Sequence, residues 1–111
     1  MNNTDKSYWT GKDFEFLITG DIELTADIYD DIMTPNTFIC TKTMCDGWPY
    51  YLVESDYFTY SWEPPGIQMT FNPDITYSKA KLIADEVITN ILNSGQQVEL
   101  IELPSNSIYR F

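Results

Sequence analysis

The stretch GDIELTADIYDDIM, residues 20–33, carries five carboxylates, Asp21, Glu23, Asp27, Asp30 and Asp31, and no basic residue. Clustered oxygen ligands can hold a hard divalent cation, and paired carboxylates across a cleft can do acid–base work. The EF-hand spacing, with its central glycine and terminal glutamate, is absent. Carboxylate pairs arise by number alone in a chain this acidic, so they do not single out a hydrolase. Two further uses are open: a solvated face, or charge presented to a partner. The expectation is presented charge, with Glu23, Asp27, Asp30 and Asp31 as its residues.

Other chemistry is narrowed by what the chain contains. Histidine is absent, which removes Ser-His-Asp and Cys-His nucleophile systems and the imidazole zinc sites. The two cysteines, Cys40 and Cys45, form a C-x4-C pair that cannot complete a tetrahedral zinc site without further ligands. A reactive Cys45 would need a lowered pKa, and its neighbour Asp46 opposes the thiolate. Both thiols are expected to be structural or incidental, with a local disulfide as the alternative. No catalytic residue, metal or cofactor is assigned.

A second concentration of side chains lies between residues 48 and 62: Trp48, Tyr50, Tyr51, Tyr57, Phe58, Tyr60 and Trp62. One face of a strand can bury only alternate residues, so some of these rings must face away from the core. Tyr and Trp carry large contact area at low rotamer cost and dominate binding hot spots. Interleaved with Asp46, Glu54, Asp56 and Glu63, they suggest an acidic, aromatic binding surface. Its expected members are Asp46, Trp48, Glu54, Asp56, Tyr57, Tyr60 and Trp62. Single-stranded nucleic acid also stacks on such rings, but in positively charged grooves, and this segment has none. The plain alternative is that both faces of a sheet are covered by the protein itself.

The elements that position these residues follow from periodicity. Phe14, Phe16 and Ile18 alternate with Glu15, Leu17 and Thr19, which predicts a strand over 13–19. After Gly20-Asp21, Ile22, Leu24, Ala26 and Ile28 keep the same alternation and predict a second strand to about residue 29, followed by a short turn and Pro35. A helix competes there, because Ile22, Ala26, Tyr29 and Met33 fall at helical spacing. Thr37–Thr43 reads as a third strand and Asp46-Gly47 as a turn. Residues 50–62 form one bulged strand or two meeting near Ser55-Asp56. Pro64-Pro65-Gly66 is a loop, and Ile67, Met69 and Phe71 mark another strand. Ala80, Ile83, Ala84, Val87, Ile91 and Leu92 define an amphipathic helix over 76–94, capped by Thr76 or Asp74 and closed by Gly95. Val98, Leu100 and Leu103 predict a last strand. The fold class is therefore α+β: a mostly antiparallel sheet of five to seven strands with one C-terminal helix on one face. The 111 residues fit a single globular domain, with residues 1–12 expected to be loosely ordered.

Composition bounds the partner. Seventeen acids against six bases give a net charge of −11, while 15% aromatic residues argue against a disordered acidic tail. Such a surface repels nucleic acid and anionic membranes and attracts basic proteins. No apolar run approaches the roughly 20 residues of a membrane span, and no signal sequence is evident, so a cytoplasmic location is expected.

A small, acidic, histidine-free, aromatic-rich α+β chain resembles the immunity proteins that neutralise bacterial toxins, including those of contact-dependent growth inhibition systems. The resemblance is one of overall profile and transfers no individual residue role. It implies an inhibitor, not an enzyme, that blocks the active-site or substrate cleft of a basic toxin, foremost a nuclease. Phage-type inhibitors of CRISPR or restriction systems share the profile, and a small carboxylate- or metal-dependent enzyme is the third alternative.

Overall fold

Alternation is enough to build the first strand. In β1 (Phe14–Thr19) the two sets of the pattern behave as their chemistry dictates: Phe14, Phe16 and Ile18 are buried, and Glu15, Leu17 and Thr19 are half-covered on the opposite face. The computed structural model describes residues 9–63 and 66–104. Beyond β1 the order is α1 (Ala26–Met33), β2 (Cys40–Cys45), β3 (Trp48–Val53), β4 (Asp56–Glu63), β5 (Gly66–Phe71), α2 (Tyr77–Asn93) and β6 (Glu99–Pro104). The six strands form one sheet in the order β2-β3-β4-β5-β1-β6, antiparallel at every pairing. The α+β class and the antiparallel sheet agree with expectation, but the described residues form two helices, not one.

The additional helix replaces the strand expected over residues 22–29. Both edges of β1 are taken, by β5 on one side and β6 on the other, so no ladder position is open to the segment that follows it. Ile22 and Leu24 keep their alternation as half-buried residues in chain that belongs to no strand. At Thr25 the backbone turns: its carbonyl accepts the N–H groups of Ile28 and Tyr29 at 3.1 and 3.0 Å, and Asp27 in the first turn complements the helix dipole. Ile28, Ile32 and Met33 then share the face that packs on the core. Helical spacing decides the second half of the stretch.

The Thr37–Thr43 strand is shifted to Cys40–Cys45. The amides of Asn36 and Thr37 are captured by the Glu86 carboxylate of α2, the second at 2.8 Å, which removes them from any ladder. Asp46-Gly47 forms the expected turn between β2 and β3. Both residues have positive φ, 54° and 78°, the requirement of a two-residue type I′ hairpin whose twist suits the strands. Residues 50–62 divide into two strands, with Glu54 and Ser55 as the turn and Glu54 at φ 60°. Of the expected loop, Pro64 and Pro65 lie outside the described residues, and Gly66 opens β5.

The long helix forms where its stripe predicts. Thr76 caps it by accepting the Lys79 N–H, and Gly95 follows its end at φ 97°. Ala80, Ile83, Ala84, Val87 and Ile91 are buried, whereas Leu92, expected in the stripe, is 41% exposed. Both helices lie on the same face of the sheet, joined by Asn90, whose side-chain amide donates to the Ile32 carbonyl at 3.1 Å. Between the layers sit Tyr51, Phe58, Phe71, Met69 and the β1 aromatics. Of the 1–12 stretch, residues 1–8 lie outside the described residues; Trp9 and Thr10 are tied to the start of α2 through a bridge to Thr76 and a Tyr77 N–H to the Trp9 carbonyl.

Candidate functional site

Tyr29 of the acidic stretch and part of the aromatic run, separated in sequence, meet at one end of the sheet. There β3 begins, β4 ends and α1 passes over them, leaving a cleft of about 390 Å³ lined by Tyr29, Trp48, Pro49, Tyr60, Ser61 and Trp62. Strand parity explains the mixture. Pro49, Tyr60 and Trp62 point to the helix side, and α1 supplies Tyr29 from above, while Trp48 and Ser61 belong to the opposite parity. Trp62 is 53% exposed although it shares the parity of buried Phe58 and Tyr60.

The expected site residues divide into three groups. Trp48, 49% exposed, and Trp62 line the cleft, and Asp27, Asp30 and Asp31 project from the solvent side of the helix that forms its wall. Asp31 and Asp46 make no ion pair among the described residues; Asp46 stands in the exposed turn two residues before Trp48. Asp27 accepts the Thr25 hydroxyl, which lowers its pKa. Glu23, exposed, precedes α1, and its N–H donates to the Gln96 side chain.

A second group is occupied within the fold. Glu54 and Asp56 hold Lys79 at 2.6 and 2.7 Å, and Asp56 also accepts the Asn72 side-chain amide at 2.9 Å. Burial opposes charge on Lys79, but its hydrogen bonds to the two carboxylates outweigh this and raise its pKa. This arrangement accounts for a lysine in the first turn of α2, where the helix dipole disfavours it; Lys81 is likewise matched by Asp85 one turn on, at 2.8 Å. Tyr60 forms the third group. It lies in the core, and its hydroxyl donates to the Met33 carbonyl at 2.7 Å, fastening α1 to β4. Only its edge reaches the cleft. Tyr57, 38% exposed, lies on the far face of the sheet against Tyr50, with ring centroids 5.5 Å apart.

Tyr29, Pro49 and Ser61 were not expected at a site. Tyr29 was legible, since it falls on the helical spacing that competed with alternation; nothing in the sequence distinguishes Pro49 or Ser61.

One basic side chain already sits against the inner wall of this region. Lys42 of β2 pairs with Asp30 at 3.0 Å, and its ammonium lies 5.7 Å from the centre of the Tyr29 ring and 5.9 Å from that of Tyr51. The Tyr51 hydroxyl is buried without a hydrogen-bond partner among the described residues. Burial, reinforced by Tyr29 and Asp30, pushes its pKa far above that of an ordinary phenol, so it stays a neutral donor.

The thiols offer no comparable arrangement. Cys40 and Cys45 are free; they lie five residues apart on one strand and so on opposite faces. Burial, with Glu86 nearby, raises the Cys40 pKa, which disfavours a nucleophilic thiolate. No group of three or more Cys, Asp or Glu side chains is assembled for a metal ion among the described residues, and no helix there is long and apolar enough to cross a membrane. The chain matches no protein-family model, no curated protein and no solved structure.

Proposed function

We propose that this chain is an acidic inhibitory binding protein, an immunity protein that neutralises a basic toxin, foremost a nuclease, by occupying its active-site or substrate cleft. The supporting observation is a cleft that joins Tyr29, from the acidic stretch, to the exposed Trp48 and Trp62. Exposed carboxylates on the helix that supplies Tyr29 attract a basic surface from a distance, and Trp48 and Trp62 offer buried area once contact is made. The net charge of −11 favours such a partner over nucleic acid or an anionic membrane. A nuclease cleft that normally holds phosphate is basic, so a carboxylate-rich surface competes for it directly. The site of action under this proposal is the cytoplasm.

The test is neutralisation. A nuclease toxin domain encoded beside this chain's own gene should lose its activity on addition of one equivalent of the purified protein, and cells producing the protein should survive that toxin. Full nuclease activity with the protein in excess would remove the immunity reading. Inhibition of a restriction or CRISPR nuclease instead would transfer the role to the phage-type alternative.

A further inference from the structure

We propose that the cleft between α1 and the ends of β3 and β4 receives an arginine side chain of the basic partner, stacked on Trp48 or Trp62 and paired with the carboxylates of α1 and the β2–β3 turn. The inference rests on the reading of a basic protein partner and specifies its contact. Trp62 on the helix side and Trp48 on the opposite parity, each about half exposed, both belong to the lining of an opening of about 390 Å³, within the range of small-ligand clefts. Exposed tryptophan faces attract cations through the ring quadrupole, and tryptophan does so best among the aromatic residues. A guanidinium fits this environment better than an ammonium, because it is planar, weakly hydrated and able to stack while its edge donates to carboxylates.

The protein contains a smaller version of the same chemistry. Lys42 is held between the Asp30 carboxylate and the rings of Tyr29 and Tyr51, and Tyr29 is also a wall of the cleft. The aromatic–carboxylate environment there thus already accommodates one cation. Asp31 and Asp46, which make no ion pair among the described residues, are left to meet a second.

Two short peptides of equal length and charge, one carrying alternating Gly and Arg and the other Gly and Lys, are titrated into the whole protein. The indole N–H signals of Trp9, Trp48 and Trp62 are followed by NMR. Trp9, packed against Phe14 and Tyr77 away from the cleft, is the internal reference. The arginine peptide should move the Trp48 and Trp62 signals, leave Trp9 in place and bind at least threefold more tightly than the lysine peptide. Trp62→Ala, checked by an unchanged far-ultraviolet spectrum, should weaken the arginine peptide at least fivefold; Tyr57→Ala on the far face should not. Unmoved Trp48 and Trp62 signals, or equal binding of the two peptides, would overturn the inference. Its failure is separable from that of the immunity reading by a toxin arm. A Trp48→Ala/Trp62→Ala variant that neutralises the nuclease as well as the parent removes the arginine cleft and leaves the immunity reading standing. Arginine-selective binding in a parent protein that neutralises no toxin does the reverse.

Discussion

Glu86 shows how much of the molecule one carboxylate can organise. From α2 it receives the backbone N–H groups of Asn36 and Thr37 and so fixes the loop that carries the chain from α1 to β2. Burial alone raises its pKa, but the hydrogen bonds from Thr37 and Asn36 outweigh it, leaving the group below its usual 4.5. The sign follows from linkage: a carboxylate held more firmly ionised in the folded state contributes fully above pH 4.5 and fades as pH falls through its lowered folded value. Glu86→Gln is expected to cost about 1 kcal/mol near neutral pH, the scale of a partly solvated charge-assisted hydrogen bond. Chemical denaturation of parent and variant from pH 7 to pH 3 checks this. The two stabilities should converge toward the acid end, and a gap independent of pH would contradict the assignment. At this scale the sequence was partly readable. The acid content of residues 20–33 and the rings of 48–62 were plain, but their use was not. Asp56 and Glu54 looked like surface acids because the distant Lys79 that takes them cannot be inferred from local spacing, and Tyr60 looked like a contact residue because its acceptor, the Met33 carbonyl, comes from another element.

Elements whose pattern was set by their own burial were legible. β1, β5 and α2 have apolar positions at period two or near 3.6, and each packs as that period requires. α1 was not, because its conformation depends on topology: β6, some 80 residues later, occupies the edge of β1 that a hairpin after Gly20-Asp21 would have used. The two helices together make a prediction about the layer they form. Ile83→Ala and Ile91→Ala remove fully buried side chains and are each expected to cost about 2–4 kcal/mol through lost burial and the cavity left behind. Leu92→Ala, on the exposed side, should stay within about 0.5 kcal/mol. Asn90→Ala leaves the Ile32 carbonyl without its donor and should fall between, at about 1 kcal/mol. Urea unfolding midpoints of the four variants should follow that order. A Leu92 variant as damaged as the Ile91 variant would mean that the helix presents a different face to the sheet.

On the scale of the whole molecule, a two-layer fold leaves the second face of the sheet uncovered by any described helix, and the excess of acid is spread over the remaining surface. Lys42, Lys79 and Lys81 are each matched to carboxylates within the protein, so the uncompensated charge falls to groups such as Asp31 and Asp46. Charge of this kind acts at long range and is screened within about 8 Å at physiological ionic strength, whereas packing of Trp48 and Trp62 acts only in contact. The two parts of the cleft should therefore govern different rate constants. The decisive measurement is binding kinetics between this chain and the basic toxin domain proposed as its partner, at several salt concentrations. The variants are Glu23, Asp27 and Asp31 changed to Lys, with Asp30 spared because it holds Lys42, and, separately, Trp48→Ala and Trp62→Ala. Charge reversal and added salt should each slow association by about tenfold or more, while the tryptophan variants should associate normally and dissociate faster. An association rate that is flat with salt and indifferent to the lysine substitutions, with dissociation unchanged by loss of either tryptophan, would place the partner on another surface.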